Sequence, residues 1–211
     1  MDRIFGLVGA GGFGRELLPY INGFDHSSIY LVDDDNRDNN VNGFKLISRE
    51  NFLTIPDKKK FFNISISDGV IREKISNFFL ANQIKPYEIK ASNAIVHDFA
   101  DIGIGAALCD FTIISPNTKI GKFFHFNRFS QVGHDCVIGN YVTFAPNVNC
   151  NGNVIIGDHV YIGTGALIKN GTKENPIKIG DGAIIGMGAV VTKNVKSKSV
   201  VVGNPAKEID K

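Results

Sequence analysis

An apolar residue recurs at every sixth position over one uninterrupted stretch of this chain. The series runs Val96, Ile102, Leu108, Ile114, Ile120, Phe126, Val132, Ile138, Phe144, Cys150, Ile156, Ile162, Ile168. An amphipathic helix repeats apolar residues every 3.6 positions and a strand every second position, so neither explains this spacing. A period of six is typical of a parallel β-solenoid with triangular coils of about 18 residues. The strands of a β-sandwich would vary in length and lose the phase.

Two further positions keep the same period. We call each apolar residue of this series a step. Small or β-branched residues lie two positions before most steps, at Ala100, Ala106, Thr112, Thr118, Ser130, Cys136, Val142, Val148, Val154, Val160 and Ala166. Glycine follows the step at 103, 121, 133, 139, 157 and 163. We expect the step and the small positions to face the inside of the prism. We expect the glycines to permit positive φ at its corners.

The phase breaks once, after Ile168, and resumes at Ile179, Ile185 and Val191. The residues 169–176 therefore form an insertion. Extra backbone cannot be buried inside a solenoid without losing its hydrogen bonds, so we expect this loop to leave the prism at a corner. Loops of this kind commonly serve a site.

The chain ahead of the repeats has a different pattern. The apolar run Ile4–Val8 is typical of a buried parallel strand and leads into a glycine-rich turn and a helix pattern. Ile29–Val32 and Phe61–Ile66 predict two more strands, and Asp68 can cap a following helix. The sequence thus predicts a small Rossmann-like α/β domain over residues 1–88 and a β-helix over residues 89–211.

Composition excludes several classes of protein. The 211 residues carry a formal net charge of only +2, without a dense basic patch, so we expect no nucleic-acid partner. The three cysteines form no CxxC pair and fall on or beside inward positions, so we expect small buried side chains. No apolar run approaches the ~20 residues of a membrane span. We expect a cytoplasmic protein.

The glycine-rich turn after the first strand suits a phosphate, because glycines let the backbone approach and a helix N-terminus presents free N–H groups. Gly9, Gly11 and Gly14 have dinucleotide spacing, and Asp33 lies where a ribose-binding acid belongs. Three strands are only about half of a full dinucleotide fold. Nucleotide-sugar binding, a nicotinamide cofactor and a structural turn therefore all stay open.

The segment Ser130-Gln131-Val132-Gly133-His134-Asp135-Cys136-Val137-Ile138-Gly139 carries a resemblance that spans the whole chain, to Gly203-Asn204-Pro205-Ala206-Lys207. It is similar to hexapeptide-repeat acyltransferases that join a small nucleotide-binding domain to a left-handed parallel β-helix. These include N-acetyltransferases of nucleotide-linked 4-amino-4,6-dideoxy sugars and sialic acid O-acetyltransferases. The resemblance implies acetyl-CoA as co-substrate, no metal, and a homotrimer with active sites between neighbours.

Carried over by position, the resemblance implies roles for five residues of the β-helix. His134 would be the general base that takes a proton from the acceptor, which suits an imidazole at neutral pH. Asp135 would orient and polarise it. The amide of Gly152 would hold the thioester carbonyl. Thr164 and Met187 would meet the pantetheine arm of acetyl-CoA.

The resemblance also implies an acceptor site. Its phosphate loop would comprise Gly11, Gly12, Phe13 and Gly14. Asp33 and Asp34 would lie beside the nucleotide base, and Ser67 and Asn127 would contact the substrate. The chain departs from its relatives at Phe13, where they often carry histidine, and at Thr143, where several carry a second histidine.

We therefore expect an N-acetyltransferase acting on the 4-amino group of a dTDP- or UDP-linked 4-amino-4,6-dideoxyhexose, for surface glycan biosynthesis. The alternative is O-acetylation of sialic acid or a related sugar, since a hydroxyl needs the same base. A non-catalytic binding or scaffold module is a third possibility, in which His134 would have no role.

Overall fold

The computed structural model describes residues 3–35, 38–56 and 58–210 and begins with a six-stranded sheet. Its strands are β1 (Arg3–Val8), β2 (Ile29–Val32), β3 (Asn40–Val41), β4 (Phe44–Ile47), β5 (Lys59–Ile64) and β6 (Lys85–Pro86). The spatial order is β3-β4-β2-β1-β5-β6, and all neighbours are parallel except the β3–β4 hairpin. Three helices pack against it: α1 (Gly12–Leu17), α2 (Arg49–Thr54) and α3 (Gly69–Ala81). Leu18–Tyr20 and His26–Ser28 form 3₁₀ turns.

The expectation of three strands in this sheet was incomplete. β4 was missed because its sequence Phe-Lys-Leu-Ile buries only Leu46 and shows no continuous apolar run. The predicted cap at Asp68 is confirmed, since its carboxylate accepts a hydrogen bond from the Ile71 N–H at 2.9 Å. Helix α3 buries Ile75 and Phe79 behind that cap.

Three parallel sheets form the β-helix that follows. Face 1 contains Ile89–Lys90, Ala107–Leu108, His125–Phe126, Thr143–Phe144, Tyr161–Ile162, Ile184–Ile185 and Val200–Val202, with Lys207–Ile209 added antiparallel. Face 2 contains Ile95–Val96, Ile113–Ile114, Gln131–Val132, Asn149–Cys150, Leu167–Ile168 and Val190–Val191. Face 3 contains Asp101–Ile102, Lys119–Ile120, Val137–Ile138, Val154–Ile156 and Ile177–Ile179.

The strand register confirms the predicted coil. Ala107 pairs with His125, eighteen residues later on face 1, and Ile113 pairs with Gln131 on face 2. Both inward registers lie in one core cluster that runs the length of the prism. Cys109, Cys136 and Cys150 are buried and form no disulfide, as expected. Each coil therefore stacks its apolar layer directly on the next.

The corners correct one expectation. The glycines that follow the steps do not have positive φ; they are small because the next coil lies against them. A Cβ on Gly121 would lie 2.7 Å from the Asn140 nitrogen. Positive φ belongs to the third residue after every step from Val96 to Ile162, which is often not glycine, as at Asp135 (φ 57°) and Tyr141 (φ 57°).

These positive-φ residues mark three columns. Corner A, between faces 2 and 3, contains Phe99, Asn117, Asp135 and Asn153. Corner B, between faces 3 and 1, contains Gly105, Phe123, Tyr141, His159 and Gly182. Corner C, between faces 1 and 2, contains Phe111, Phe129, Asn147, Gly165 and Gly188. The insertion 169–176 leaves the prism at corner A, as its position after a face 2 strand requires.

The first sheet and its helices sit on face 1. The outward residues Ala107, His125 and Thr143 are buried there, although they point away from the prism. The first sheet ends at Pro86 and face 1 begins at Ile89, so we propose the domain boundary at 88/89. Across the described ranges, no helix is long and apolar enough to cross a membrane.

We expect the coil-packing glycines to be more important for stability than the positive-φ glycines. Gly121→Ala places a methyl group against backbone of the next coil, so overpacking should cost about 3 kcal/mol or more. Gly182→Ala meets only the Lys198 side chain at 3.6 Å, and its left-handed backbone should cost about 1–2 kcal/mol. Chemical denaturation of both variants tests this order, and a larger loss for Gly182→Ala would contradict it.

Candidate active site

His134 and Asp135 form a hydrogen-bonded pair at corner A. The imidazole Nδ1 lies 2.6 Å from a carboxylate oxygen of Asp135, and both side chains are about half exposed or more, at 62% and 48%. With the Nδ1–H donating to the carboxylate, the other ring nitrogen, Nε2, is left as a proton acceptor. The pKa of Asp135 lies below its ordinary value, chiefly because of this bond; hydrogen bonding from Asn117 and the charge of Lys173 act in the same direction.

Gly152 lies directly beneath the ring of His134, one coil further along the same corner. A Cβ at this position would be 2.6 Å from Nε2 and 2.7 Å from Cε1 of His134. Within the described part of the chain, the Gly152 N–H has no hydrogen-bond acceptor, whereas its carbonyl accepts from the Gly171 N–H at 3.0 Å. A reacting group near His134 would therefore find a free backbone donor beside it.

The insertion 169–176 lines a cavity beside this pair. The cavity measures about 670 Å³, and its walls include Asn117, Asp135, Asn153, Thr172 and Lys173. The loop thus adds a cation and several polar groups to the corner that holds His134.

The structure places three predicted site residues at another corner. Asn127, Thr164 and Met187 all follow face 1 strands and lie at corner C, on the far edge of face 2 from His134. The Asn127 side chain accepts from the Arg128 N–H at 3.0 Å, and the side chain of Met187 is largely exposed. One chain therefore brings His134, Asp135 and Gly152 together, but not the other three.

A second cavity, of about 330 Å³, opens at the carboxyl ends of β1 and β2. Its walls include Gly9, Asp33, Asp34, Asp35, Arg49, Ile66 and Lys74. Ligands of open α/β sheets bind at such strand ends. The Asp33 carboxylate accepts from the Ala10 N–H at 3.1 Å, and Asp34 forms an ion pair with Arg49. The predicted acidic pair therefore lies at this cavity, with Asp35 as a third carboxylate.

The predicted phosphate loop runs beside this cavity at the start of α1. Gly14 is sterically required, because a Cβ there would lie 2.2 Å from the Gly9 carbonyl oxygen. Added Cβ atoms on Gly11 and Gly12 would meet nothing within 4 Å. The ring of Phe13 contacts His125 at a centroid distance of 5.1 Å.

Sequence reasoning missed the buried groups that join this cavity to face 1. His125 is fully buried, and burial, with the charge of Arg72 adding to it, lowers the pKa of its imidazole well below the usual value. Its Nε2 contacts the Ile64 carbonyl at 2.7 Å and its Nδ1 contacts Arg72 at 3.3 Å. The Thr143 hydroxyl donates a 2.8 Å hydrogen bond to the backbone carbonyl of Ser67, an expected substrate contact. An outward-facing histidine gives no sequence signal that another domain covers it.

Comparison with known proteins agrees with this two-part architecture. The model of the PglD N-terminal domain matches residues 5–79, and that of the hexapeptide repeat of succinyl-transferase matches residues 153–193. GDP-perosamine N-acetyltransferase of Escherichia coli O157:H7 is 47% identical over 99% of this chain and 97% of its own length. The chain belongs to the sugar N-acetyltransferases of the hexapeptide-repeat acyltransferase family.

Two solved structures share the fold over the whole chain. WeeI from Acinetobacter baumannii AYE is 44% identical, with a TM-score of 0.96 over 99% of this chain and 100% of its own. The acetyltransferase domain of PglB from Neisseria gonorrhoeae FA1090, in complex with acetyl coenzyme A, is 26% identical, with a TM-score of 0.88 over 99% and 100%. The expected fold and the acetyl-CoA-dependent N-acetyltransferase activity are thus confirmed. The nicotinamide and O-acetylation alternatives receive no support.

The described residues contain no group of three or more His, Cys, Asp or Glu side chains placed to hold a metal ion. The titratable side chains that meet at corner A are the imidazole of His134, the carboxylate of Asp135 and the ammonium of Lys173.

We expect Gly152→Ala to impair acetyl transfer without unfolding the protein. The added methyl group would displace the imidazole of His134, and a misplacement of about 1 Å can cost roughly 10²-fold in rate. The melting temperature should change little because His134 is exposed and can move. Steady-state kinetics and a thermal melt measure the two quantities.

A control for this variant is the same substitution in a His134→Ala background. If the methyl group acts through the ring, it should cause no further loss once the ring is gone. An equal additional loss in that background would show that Gly152 acts independently of His134.

Proposed function

We propose that the protein acetylates the 4-amino group of a GDP-linked 4-amino-4,6-dideoxyhexose of the perosamine type, in surface glycan biosynthesis. The 47% identity to GDP-perosamine N-acetyltransferase over nearly the full length of both chains carries this proposal. The sequence-based expectation of dTDP or UDP is not confirmed, because GDP is the nucleotide of that relative. Because acetyl-CoA is an intracellular metabolite, we also propose a cytoplasmic location.

The proposed step is direct transfer from the thioester. The sugar amine attacks the acetyl carbonyl carbon, the C–S bond breaks, and CoA leaves as the thiol. His134 Nε2 accepts the proton that the amine loses and can return it to the departing thiolate. Asp135 holds the imidazole in the required tautomer through their 2.6 Å hydrogen bond. The free N–H of Gly152 would donate to the carbonyl oxygen as negative charge develops on it.

A covalent enzyme intermediate has no support. The cysteines are buried within the prism or beneath the first domain, away from the exposed face of His134. A hydrogen bond with Cys150 lowers the pKa of Cys136, the cysteine nearest to His134, but its side chain is fully buried in the prism core and its thiol donates to the Asn151 carbonyl at 3.2 Å. Burial raises the pKa of Cys109 to about 12, which keeps that thiol protonated and a poor nucleophile. The amine itself is the nucleophile that the pair at corner A can activate.

The cavity at the carboxyl end of the first sheet favours guanine among the three nucleotide bases. Guanine presents an N1–H and an amino group side by side, which match the two oxygens of one carboxylate. Uracil and thymine flank their single N–H with carbonyl oxygens that a carboxylate repels. The Asp34 carboxylate is already paired with Arg49, and the Asp33 carboxylate already accepts hydrogen bonds from two backbone N–H groups. Asp35 is therefore our candidate for base recognition, alongside the predicted pair.

We propose that the working site forms between two copies of the chain in a homotrimer. The α/β domain, which would hold the acceptor and is called the acceptor domain below, covers face 1 and reaches corner C, where Glu16 pairs with Arg128 at 2.7 Å and Tyr20 donates to Asp110. Asn127 lies at that same corner, whereas His134 lies across face 2 at corner A. If corner A of one copy meets corner C of the next, the two clusters complete one site. The number three rests on the family resemblance.

We expect thiol release from acetyl-CoA with a GDP-linked 4-amino-4,6-dideoxyhexose, and slower release with the UDP- and dTDP-linked analogues. His134→Ala should lower kcat by about 10²- to 10⁴-fold, the usual contribution of a general base. His97→Ala is the matched control, because it removes another exposed histidine at corner A and should leave the rate unchanged.

Turnover of free or CMP-activated sialic acid in place of every amino sugar would contradict N-acetylation. Equal rates for His134→Ala and the wild type would exclude the proposed base. A preference for UDP or dTDP with His134 still required would leave the reaction in place and correct the nucleotide.

A further inference from the structure

Arg72 is a buried cation that no catalytic step uses. It lies in the first turns of α3 and has no exposed surface. All three of its guanidinium nitrogens donate to backbone carbonyls. The acceptors are Ile66 at 2.7 Å, Ser67 at 3.1 Å, Phe123 at 3.0 Å, Tyr141 at 2.6 Å and Val142 at 3.2 Å. One side chain therefore joins two carbonyls of the acceptor domain to three of the β-helix.

This arrangement is a poor device for stability alone. Taking a guanidinium out of water is costly, and buried ionic groups can often be replaced by apolar ones without loss of stability. Burial lowers the pKa of Arg72 to about 9, opposed by the charge of Asp68, so the group is still cationic at neutral pH. What a planar fork of donors provides, and an apolar side chain does not, is a fixed distance and angle between the groups it binds.

The groups that it fixes belong to the acceptor site. The Ser67 carbonyl accepts from Arg72 and also from the Thr143 hydroxyl on face 1, at 2.8 Å. Ile66, whose carbonyl accepts from the same nitrogen, lines the nucleotide cavity. Ser67, the next residue in the chain, is exposed. Two hydrogen bonds thus hold one peptide group between the cavity and the β-helix.

We propose that Arg72 is a positioning residue for the sugar part of the acceptor: it holds the 65–68 loop against face 1, so that the amine is presented at a fixed height along the prism. This inference rests on the proposed function. It implies that the nucleotide part, held chiefly at Asp33–Asp35, depends less on Arg72 than the sugar part does. It also implies that acetyl-CoA binding at the far corners does not depend on it.

The test is Arg72→Lys, which replaces the planar fork of three nitrogens by one nitrogen with three donors, so that the five carbonyls can no longer all be held at once. We expect kcat/KM for the nucleotide amino sugar to fall at least about tenfold, as small misplacements do. The KM for acetyl-CoA should stay within about twofold, because acetyl-CoA would bind at corners away from the 65–68 loop. The inhibition constant of free GDP should rise by a smaller factor than kcat/KM for the amino sugar falls, because GDP lacks the sugar that this loop positions. A general loosening of the fold would weaken the binding of all of these ligands alike, so a loss concentrated on the nucleotide amino sugar would point to the 65–68 loop.

Ser76→Ala is the matched control. Ser76 lies one turn further along α3, is buried, and reaches the β-helix through a 2.9 Å hydrogen bond to the Tyr141 hydroxyl. It therefore tests a lost interdomain contact that does not touch the 65–68 loop. We expect a lower melting temperature with kcat/KM for the acceptor within about twofold of the wild type.

Thr143→Val covers the case in which Arg72→Lys does not fold, because it removes only the second bond to the Ser67 carbonyl and should cause the same selective loss. The inference is overturned if GDP inhibition weakens in step with the acceptor, if Ser76→Ala and Arg72→Lys behave alike, or if Thr143→Val leaves the acceptor kinetics unchanged. A wild-type protein that acetylates no nucleotide amino sugar would overturn the proposed function first, and this inference with it.

Discussion

The structure depends on coils that stack directly on one another in register, eighteen residues apart. Parallel hydrogen bonds link each short strand to the next coil, and the inward side chains form a continuous apolar column. Backbone of neighbouring coils lies so close at the Gly121 and Gly139 positions that an added Cβ would fall within 2.7 Å of it. This register sets Gly152 beneath His134, and it keeps corner A a full face away from corner C. The chemistry of the site is therefore a consequence of the packing.

Much of this architecture could be predicted from the sequence, because a six-residue period constrains both the inward and the outward positions. The coils, the buried cysteines, the exposed His134 and the corner insertion all follow from phase. The reason for the glycines did not follow: phase alone cannot distinguish a residue that needs positive φ from one that needs a small side chain. Strand β4 was not predicted because its short mixed sequence carries no periodic signal.

The candidate site was predictable only in part for a different reason. His134 and Asp135 are adjacent in sequence, so a local motif identifies them. Arg72 and His125 meet across fifty-three residues and two domains, and no local pattern announces that an outward position on face 1 is covered. The division of site residues between corners A and C likewise depends on which face each strand occupies. Asn127 and His134 are close in the chain yet separated by the width of a face.

The central claim is that corner A of one copy acts on an acceptor held by another copy, and mixed oligomers test it directly. His134→Ala removes the base, and Gly11→Phe fills the phosphate loop at a position where an added Cβ meets no neighbour within 4 Å. Each variant alone should keep at most about a hundredth of the wild-type rate. Co-refolded in equal amounts, they should recover about a quarter of the wild-type rate, since random assembly gives that share of interfaces two intact halves. No recovery in assembled mixtures would show that both halves of the site come from a single chain.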